Sequence, residues 1–224
     1  MKSTLALLAT GLTTLVSCAQ KTPATTQPKK ETNHMTSTNT VQPNAAVATF
    51  ANGCFWCTEA IFEELKGVIS AVSGYSGGTV ENPSYKEVCS GTTGHAECLQ
   101  ITYDSTKISF DELLAVFWQT HDPTTLNRQG ADVGTQYRSA VFYHTEEQRQ
   151  KAEKYKAELD KSGAFDRPVV TAITAFTNFY PAEDYHQQYF ELNGTTNPYC
   201  RIVIQPKLEK FRKVFKDKLR EKDQ

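Results

Sequence analysis

In Gly53-Cys54-Phe55-Trp56-Cys57-Thr58-Glu59-Ala60 two cysteines bracket two aromatic rings, directly after a short apolar run and a glycine. A cysteine attacks as its thiolate, and a helix N-terminus favours that anion through its unsatisfied N–H groups and positive dipole end. Cys54 is therefore a candidate nucleophile, the alternative being a small buried hydrophobe beside aromatic neighbours. Cys57 follows at i+3, on the same side of such a helix. Two polar stretches carry groups able to handle a proton or an anionic oxygen. They are Asn82 to Glu97, with Tyr85, Cys89, His95 and Glu97, and Asp132 to Ser139, with Tyr137. A further cysteine, Cys200, closes Asn197-Pro198-Tyr199-Cys200.

The elements that must position these residues can be read from pattern. Ala46–Ala51 is a short apolar strand bounded by Asn52-Gly53, and Cys54–Lys66 has helical apolar spacing closed by Gly67. Val68–Tyr75 returns as a strand, and Glu97–Tyr103 alternates as a half-buried strand does. Ser109 caps a helix running to Gln119, and Ser139–His144 is a strand. Thr145–Lys161 is a charged helix, Pro168–Phe176 a strand, Ala182–Leu192 a helix, and Lys207–Lys222 a helix with one apolar face. This order predicts an α+β fold with a ferredoxin-like split βαβ core, additional helices and a C-terminal extension.

The chain has 224 residues, 24 basic and 25 acidic, so its charge does not argue for nucleic acid or a strongly charged partner. Residues 1–17 combine Lys2 with a short apolar run, as a secretory signal does, and are too short to span a bilayer, which needs ~20 apolar residues. Leu15-Val16-Ser17-Cys18 resembles a bacterial lipobox, which implies a diacylated Cys18 as the mature N-terminus and an extracytoplasmic protein lipid-anchored to the cell envelope. Residues 18–46, rich in threonine and lysine and lacking leucine and aromatic residues, form a tether. Residues 47–224 show no repeat or second linker and form one catalytic domain.

Gly53-Cys54-Phe55-Trp56, the 82–97 and 132–139 stretches and Tyr180-Pro181-Ala182-Glu183-Asp184-Tyr185-His186-Gln187-Gln188-Tyr189 occur in an order that resembles the A-type peptide-methionine sulfoxide reductases. The resemblance covers nearly all of residues 47–200. It implies Cys54 as the attacking thiol, Glu97 as the acid, Tyr85 and Tyr137 as hydroxyl donors to the sulfoxide oxygen, and Asp132 as a supporting polar residue. Phe55 and Trp56 would wall the substrate's S-methyl group, the alternative being two ordinary core rings. Attack leaves a sulfenic acid that a second thiol condenses with. Cys57 stands where the family more commonly has glycine, and Cys200 stands where the family often places a resolving cysteine on a mobile C-terminal segment. Both remain candidates.

The implied protein is a monomer that acts on oxidised proteins or free methionine sulfoxide, contains neither cofactor nor metal, and is recycled by an external thioredoxin-like dithiol reductant. Cys89 and Cys98 are expected to be structural. His95 reads as a solvated loop residue, His121 as a cation at a helix end, and His186 as a hydrogen-bonding group. Three rival readings are a thioredoxin-like oxidoreductase built on Cys54-x-x-Cys57, a zinc site of Cys54, Cys57, Cys89, His95 and Cys98, and a lipoprotein that only binds a partner. The paired rings and the downstream tyrosine and glutamate loops argue against the first, the irregular spacing and the unneeded Phe-Trp pair against the second, and the converging thiol, acid and phenols against the third.

Overall fold

The computed structural model describes residues 43–221. The expected signal segment, Cys18 and all but the end of the expected tether lie outside the described residues. Strand β1 (Ala45–Asn52) opens one residue ahead of the expected strand, because Ala45 as well as Ala46 pairs with β3 (Ala96–Asp104), opposite Asp104 and Tyr103.

β1, β3, β2 (Val68–Ser76) and β6 (Ser139–Tyr143) form the centre of a six-stranded sheet, in the order β6-β1-β3-β2 and antiparallel throughout. With α1 (Phe55–Phe62) joining β1 to β2 and α3 (Phe110–Gln119) between β3 and β6, this is the expected split βαβ plan. Helix α4 (Glu146–Lys161) leads to β7 (Ala172–Ala175), which adds parallel to β6, while β8 (Tyr180–Pro181) adds antiparallel to β2. A separate two-stranded ribbon joins β4 (Arg128–Gln129) to β5 (Asp132–Val133).

The pleat sends Phe50 to one face and Ala51 to the other. Phe50 meets Phe62, Phe110 and Phe117 at ring separations of 5.7, 5.9 and 5.0 Å, in a core that continues through Ile61, Leu113 and Phe211. Ala51 joins Cys98, Ala140 and Phe142 in a smaller cluster on the opposite face. Except for the half-buried Trp56, every residue of α1 is buried, so the helix that carries the cysteines is central rather than amphipathic.

Several elements differ from the sequence reading. Helix α2 (Tyr85–Cys89) stands inside a stretch read as loop, and a reciprocal Ser84–Glu87 capping box starts it. The helix expected over Ala182–Leu192 is two pieces, a 3₁₀ turn at Asp184–His186 and α5 (Tyr189–Asn193), interrupted by Gln188 at φ 51°. The strand expected from Pro168 shrinks to β7. The tail divides into a π-helical turn at Cys200–Ile204, α6 (Gln205–Val214) and a final turn, after which Leu219 bridges to Leu65.

Candidate active site

Antiparallel pairing brings the site together at one end of the sheet. Tyr75 is paired with Glu97 across β2 and β3, and Asn52 with Ser139 across β1 and β6, so the end of β1 and the start of α1 lie beside Glu97. The turn into α1 needs Gly53, whose φ of 98° is left-handed; a Cβ there would lie 2.6 Å from Gln129 Cγ.

Cys54 is the N-cap of α1 (φ −57°, ψ 123°), its side chain makes no capping bond, and Thr58 Oγ1 donates to its carbonyl and to Asn52 Oδ1. The N-cap and N3 positions lie on one side of the first turn, so the thiols of Cys54 and Cys57 are near enough to shift each other's ionisation. Burial pushes the Cys54 thiol up, and the neighbouring Cys57 and Glu97 push it further. Desolvation thus outweighs the helix terminus, against the expectation of a ready thiolate on Cys54. Cys57 is the lowered member of the pair, because the Cys54 thiol donates to it and Lys207 adds positive potential. Above the first ionisation the two sulfurs share one negative charge.

Glu97 is 1% exposed, and its Oε2 accepts the Phe55 N–H at 3.1 Å. Burial pushes its carboxyl up to about 8, against that hydrogen bond and with added repulsion from Asp132 and Cys57. At neutral pH it is therefore a carboxylic acid with a proton to give. The phenols of Tyr85 and Tyr137 are raised by burial and then by Glu97, so both remain donors.

Phe55 is fully buried between Trp56, Tyr75, Tyr85 and His186, which makes it the floor of the site. Trp56 is half-buried; its indole N–H donates to His186 Nδ1 at 3.1 Å, and its ring stacks on Tyr189 at 3.7 Å. Asp132 accepts the Tyr199 hydroxyl at 2.8 Å, and that hydroxyl lies 3.9 Å from Cys57 Sγ. Cys200 is fully buried beside Cys57 in the π-helical turn that runs straight into α6, rather than on a mobile loop.

Sequence reading missed four groups here. Glu183 accepts the Tyr75 hydroxyl at 2.9 Å and the Tyr85 N–H at 2.9 Å, tying α2 to the sheet. The Gln187 amide pairs with both backbone groups of Ser73. Tyr189 and Tyr199 cover Trp56 by stacking and by an edge contact at 6.0 Å. The only sequence signal for them is that they sit inside the quoted polar motifs.

Other expectations are corrected. His95 is buried, accepts the Gly78 N–H at 3.1 Å and contacts the Val80 carbonyl at 2.8 Å. His121, buried against the Phe117 carbonyl and Ser139, is lowered to about 4 by desolvation and is neutral rather than a cation. Cys89 is exposed and lies against Tyr85, whereas Cys98 is buried as expected and donates to the Gly74 carbonyl. Among the described residues no group of three or more His, Cys, Asp or Glu side chains is placed to hold a metal ion.

Residues 46–219 match the family model for peptide methionine sulfoxide reductase. The chain is 56% identical over 174 residues to a peptide methionine sulfoxide reductase of Saccharolobus solfataricus, covering 78% of this chain and 97% of that one. It is 53% identical over 187 residues to one from Deinococcus radiodurans, covering 83% and 90%. Among solved structures, Mxr1 of Saccharomyces cerevisiae in reduced form aligns with a TM-score of 0.64 at 36% identity over 70% of this chain and 90% of that one. Methionine sulfoxide reductase A of Corynebacterium diphtheriae aligns at 0.63 and 36%, covering 70% and 79%. A buried thiol pair at a helix start, faced by a neutral carboxylic acid and two phenols, is thus found in a chain that belongs to the A-type peptide methionine sulfoxide reductase family.

Proposed function

We propose that this enzyme reduces the S epimer of methionine sulfoxide, in proteins or free, with Cys54 as nucleophile and Glu97 as general acid. The observation that carries the reading is the buried Glu97 carboxyl, kept protonated to about pH 8 and aimed by the Phe55 N–H beside the Cys54–Cys57 pair. A sulfoxide oxygen leaves sulfur only once protonated. Glu97 supplies that proton while the Cys54 sulfur attacks, and the Cys54 proton passes to the thiolate of Cys57, the member of the pair that ionises first. The oxygen ends on Cys54 as a sulfenic acid and methionine departs, its sulfur reduced by two electrons and that of Cys54 oxidised by two. Tyr85 and Tyr137 hold the oxygen without adding charge, and Trp56 with Phe55 beneath it receives the methyl group. Oxygen, methyl and main chain are thereby fixed at three places around sulfur, which selects one epimer. Purified protein given each epimer separately should turn over S and leave R untouched; equal rates would refute the assignment.

The sulfenic acid is resolved inside the chain. Cys57, already against Cys54, is the first partner; Cys200, buried beside Cys57, can take the disulfide on and present it to a thioredoxin-like dithiol reductant. Disulfide formation needs Cα atoms within ~7 Å and suitable side-chain directions, and Cys200 sits in a π-helical turn, a feature common at functional sites. Either single replacement by serine should leave thioredoxin-dependent turnover, and the double replacement should stop after one methionine per enzyme. If Cys57→Ser alone stops recycling, Cys57 acts alone; if Cys200→Ser alone does, Cys200 carries the whole step.

The N-terminal pattern supports lipidation at Cys18 and an extracytoplasmic, envelope-anchored enzyme. Fatty-acid labelling of the wild type but not of Cys18→Ala is the expected result.

A further inference from the structure

Tyr199 touches the thiol pair from the C-terminal segment. Its hydroxyl donates to Asp132 Oδ2 at 2.8 Å and stands 3.9 Å from Cys57 Sγ, so it bridges the second thiol and a carboxylate. The phenol is held in place from several sides. Its backbone N–H donates to Asn197 Oδ1 at 2.8 Å, Asn197 Nδ2 donates to the Tyr189 hydroxyl at 2.8 Å, and its ring meets Trp56 edge-on at 6.0 Å. Asp132 is fixed by the ribbon in which it pairs with Gln129, whose side chain is anchored on both backbone groups of Asp122.

We propose that Tyr199 and Asp132 form a proton relay that deprotonates Cys57 when it attacks the Cys54 sulfenic acid. The relay rests on Cys57 being the first resolving thiol. After methionine leaves, Cys57 holds the proton received from Cys54 and must lose it to become a nucleophile. Cys57 passes this proton to the Tyr199 oxygen as Tyr199 passes its own to Asp132. The Cys57 electron pair forms the S–S bond, the S–O bond of the sulfenic acid breaks, and the oxygen leaves as water with a proton from Glu97, which has been reprotonated from solvent. Asp132 then returns its proton to solvent, so the step consumes one sulfenic acid and one thiol and yields one disulfide and one water. Burial raises the Tyr199 hydroxyl well above an ordinary phenol, so it transmits a proton without becoming a lasting anion. A carboxylate reached through a phenol also keeps negative charge one group away from the developing disulfide.

The test is a single turnover without reductant, following methionine release and thiol loss separately, with a 1,3-diketone to trap sulfenic acid. Tyr199→Phe keeps the ring and removes the relay atom. The expected result is one methionine per enzyme, which also shows a folded site, with disulfide closure slowed ~10²-fold, as expected for loss of a general base, and a trapped sulfenic acid. Asp132→Asn should slow closure similarly, and the double variant should be no slower than the worse single variant. Wild-type closure in Tyr199→Phe, while Cys57→Ser abolishes fast closure, would overturn the relay alone. Wild-type closure in Cys57→Ser would overturn the assignment of Cys57, and the relay with it.

Discussion

Replacing Glu97 by glutamine separates proton donation from shape. The amide keeps the volume and leaves an oxygen to accept the Phe55 N–H now bound at 3.1 Å, but it neither ionises nor serves as an acid. In the wild type, moving the carboxyl from an ordinary 4.5 to about 8 by burial corresponds to at most about 5 kcal/mol of proton-linked stability. The sign follows from the direction. The folded protein holds this proton more tightly than the unfolded chain, so the contribution is full below about pH 4.5 and is lost as pH rises through about 8. Within that window the slope is about 1.4 kcal/mol per pH unit, whereas the glutamine variant has none at this site. The assay is urea unfolding of both proteins at one-unit steps from about pH 5 to about pH 9, where other groups cancel in the difference. Relative to wild type, Glu97→Gln should gain several kcal/mol across that range. Its single-turnover rate of methionine formation should fall ~10² to 10⁴-fold, and the wild-type rate should fall about tenfold per unit above about pH 8. A stability difference that stays constant within about 1 kcal/mol across the series would refute the buried-acid argument, and an unchanged chemical rate would remove Glu97 from catalysis.

Cys54→Ser should show no methionine formation even in a single turnover, because an alcohol is too weak an acid and nucleophile to replace the thiol, and mass spectrometry of the product checks this. Gly53→Ala combines a left-handed backbone with a Cβ 2.6 Å from the buried Gln129 side chain. A loss of about 3 kcal/mol is expected, read as a melting temperature lower by roughly 6 to 12 °C, together with slower chemistry as Cys54 shifts. Trp56→Ala removes the ring stacked on Tyr189 at 3.7 Å and the bond to His186, and steady-state kinetics should show KM raised by at least about tenfold as the methyl wall is lost.

Local physics made much of the molecule legible in the sequence. Ser109 and Thr145 cap the helices read from them, and the strand over Glu97–Tyr103 alternates as its pattern implied from Leu99 onward, while Glu97, Cys98 and Leu99 are all buried. The order of these elements was enough for the split βαβ plan. Short-range geometry also determined that Cys54 and Cys57 meet, because they occupy N-cap and N3 of one helix. The Ser84-x-x-Glu87 pattern was equally visible and would have located α2.

Ionisation states and long-range contacts were decided by tertiary structure. The helix terminus predicts a thiolate at Cys54, but the depth of Cys54 in the fold pushes the thiol up, and a sequence carries no measure of depth. His95 and His121 turned out buried and hydrogen-bonded for the same reason. The helix expected at Ala182–Leu192 breaks at Gln188 because its flanks are claimed from afar: the Ala182 N–H bonds to the Ser73 carbonyl, and the Tyr189 N–H to Glu59. Tyr199 reaches Asp132 across 67 positions of sequence. Residue types and local spacing named the nucleophile, the acid and the phenols, but which groups lose water and which distant side chains meet them depends on how the sheet and α1 pack, and that depends on the whole chain at once.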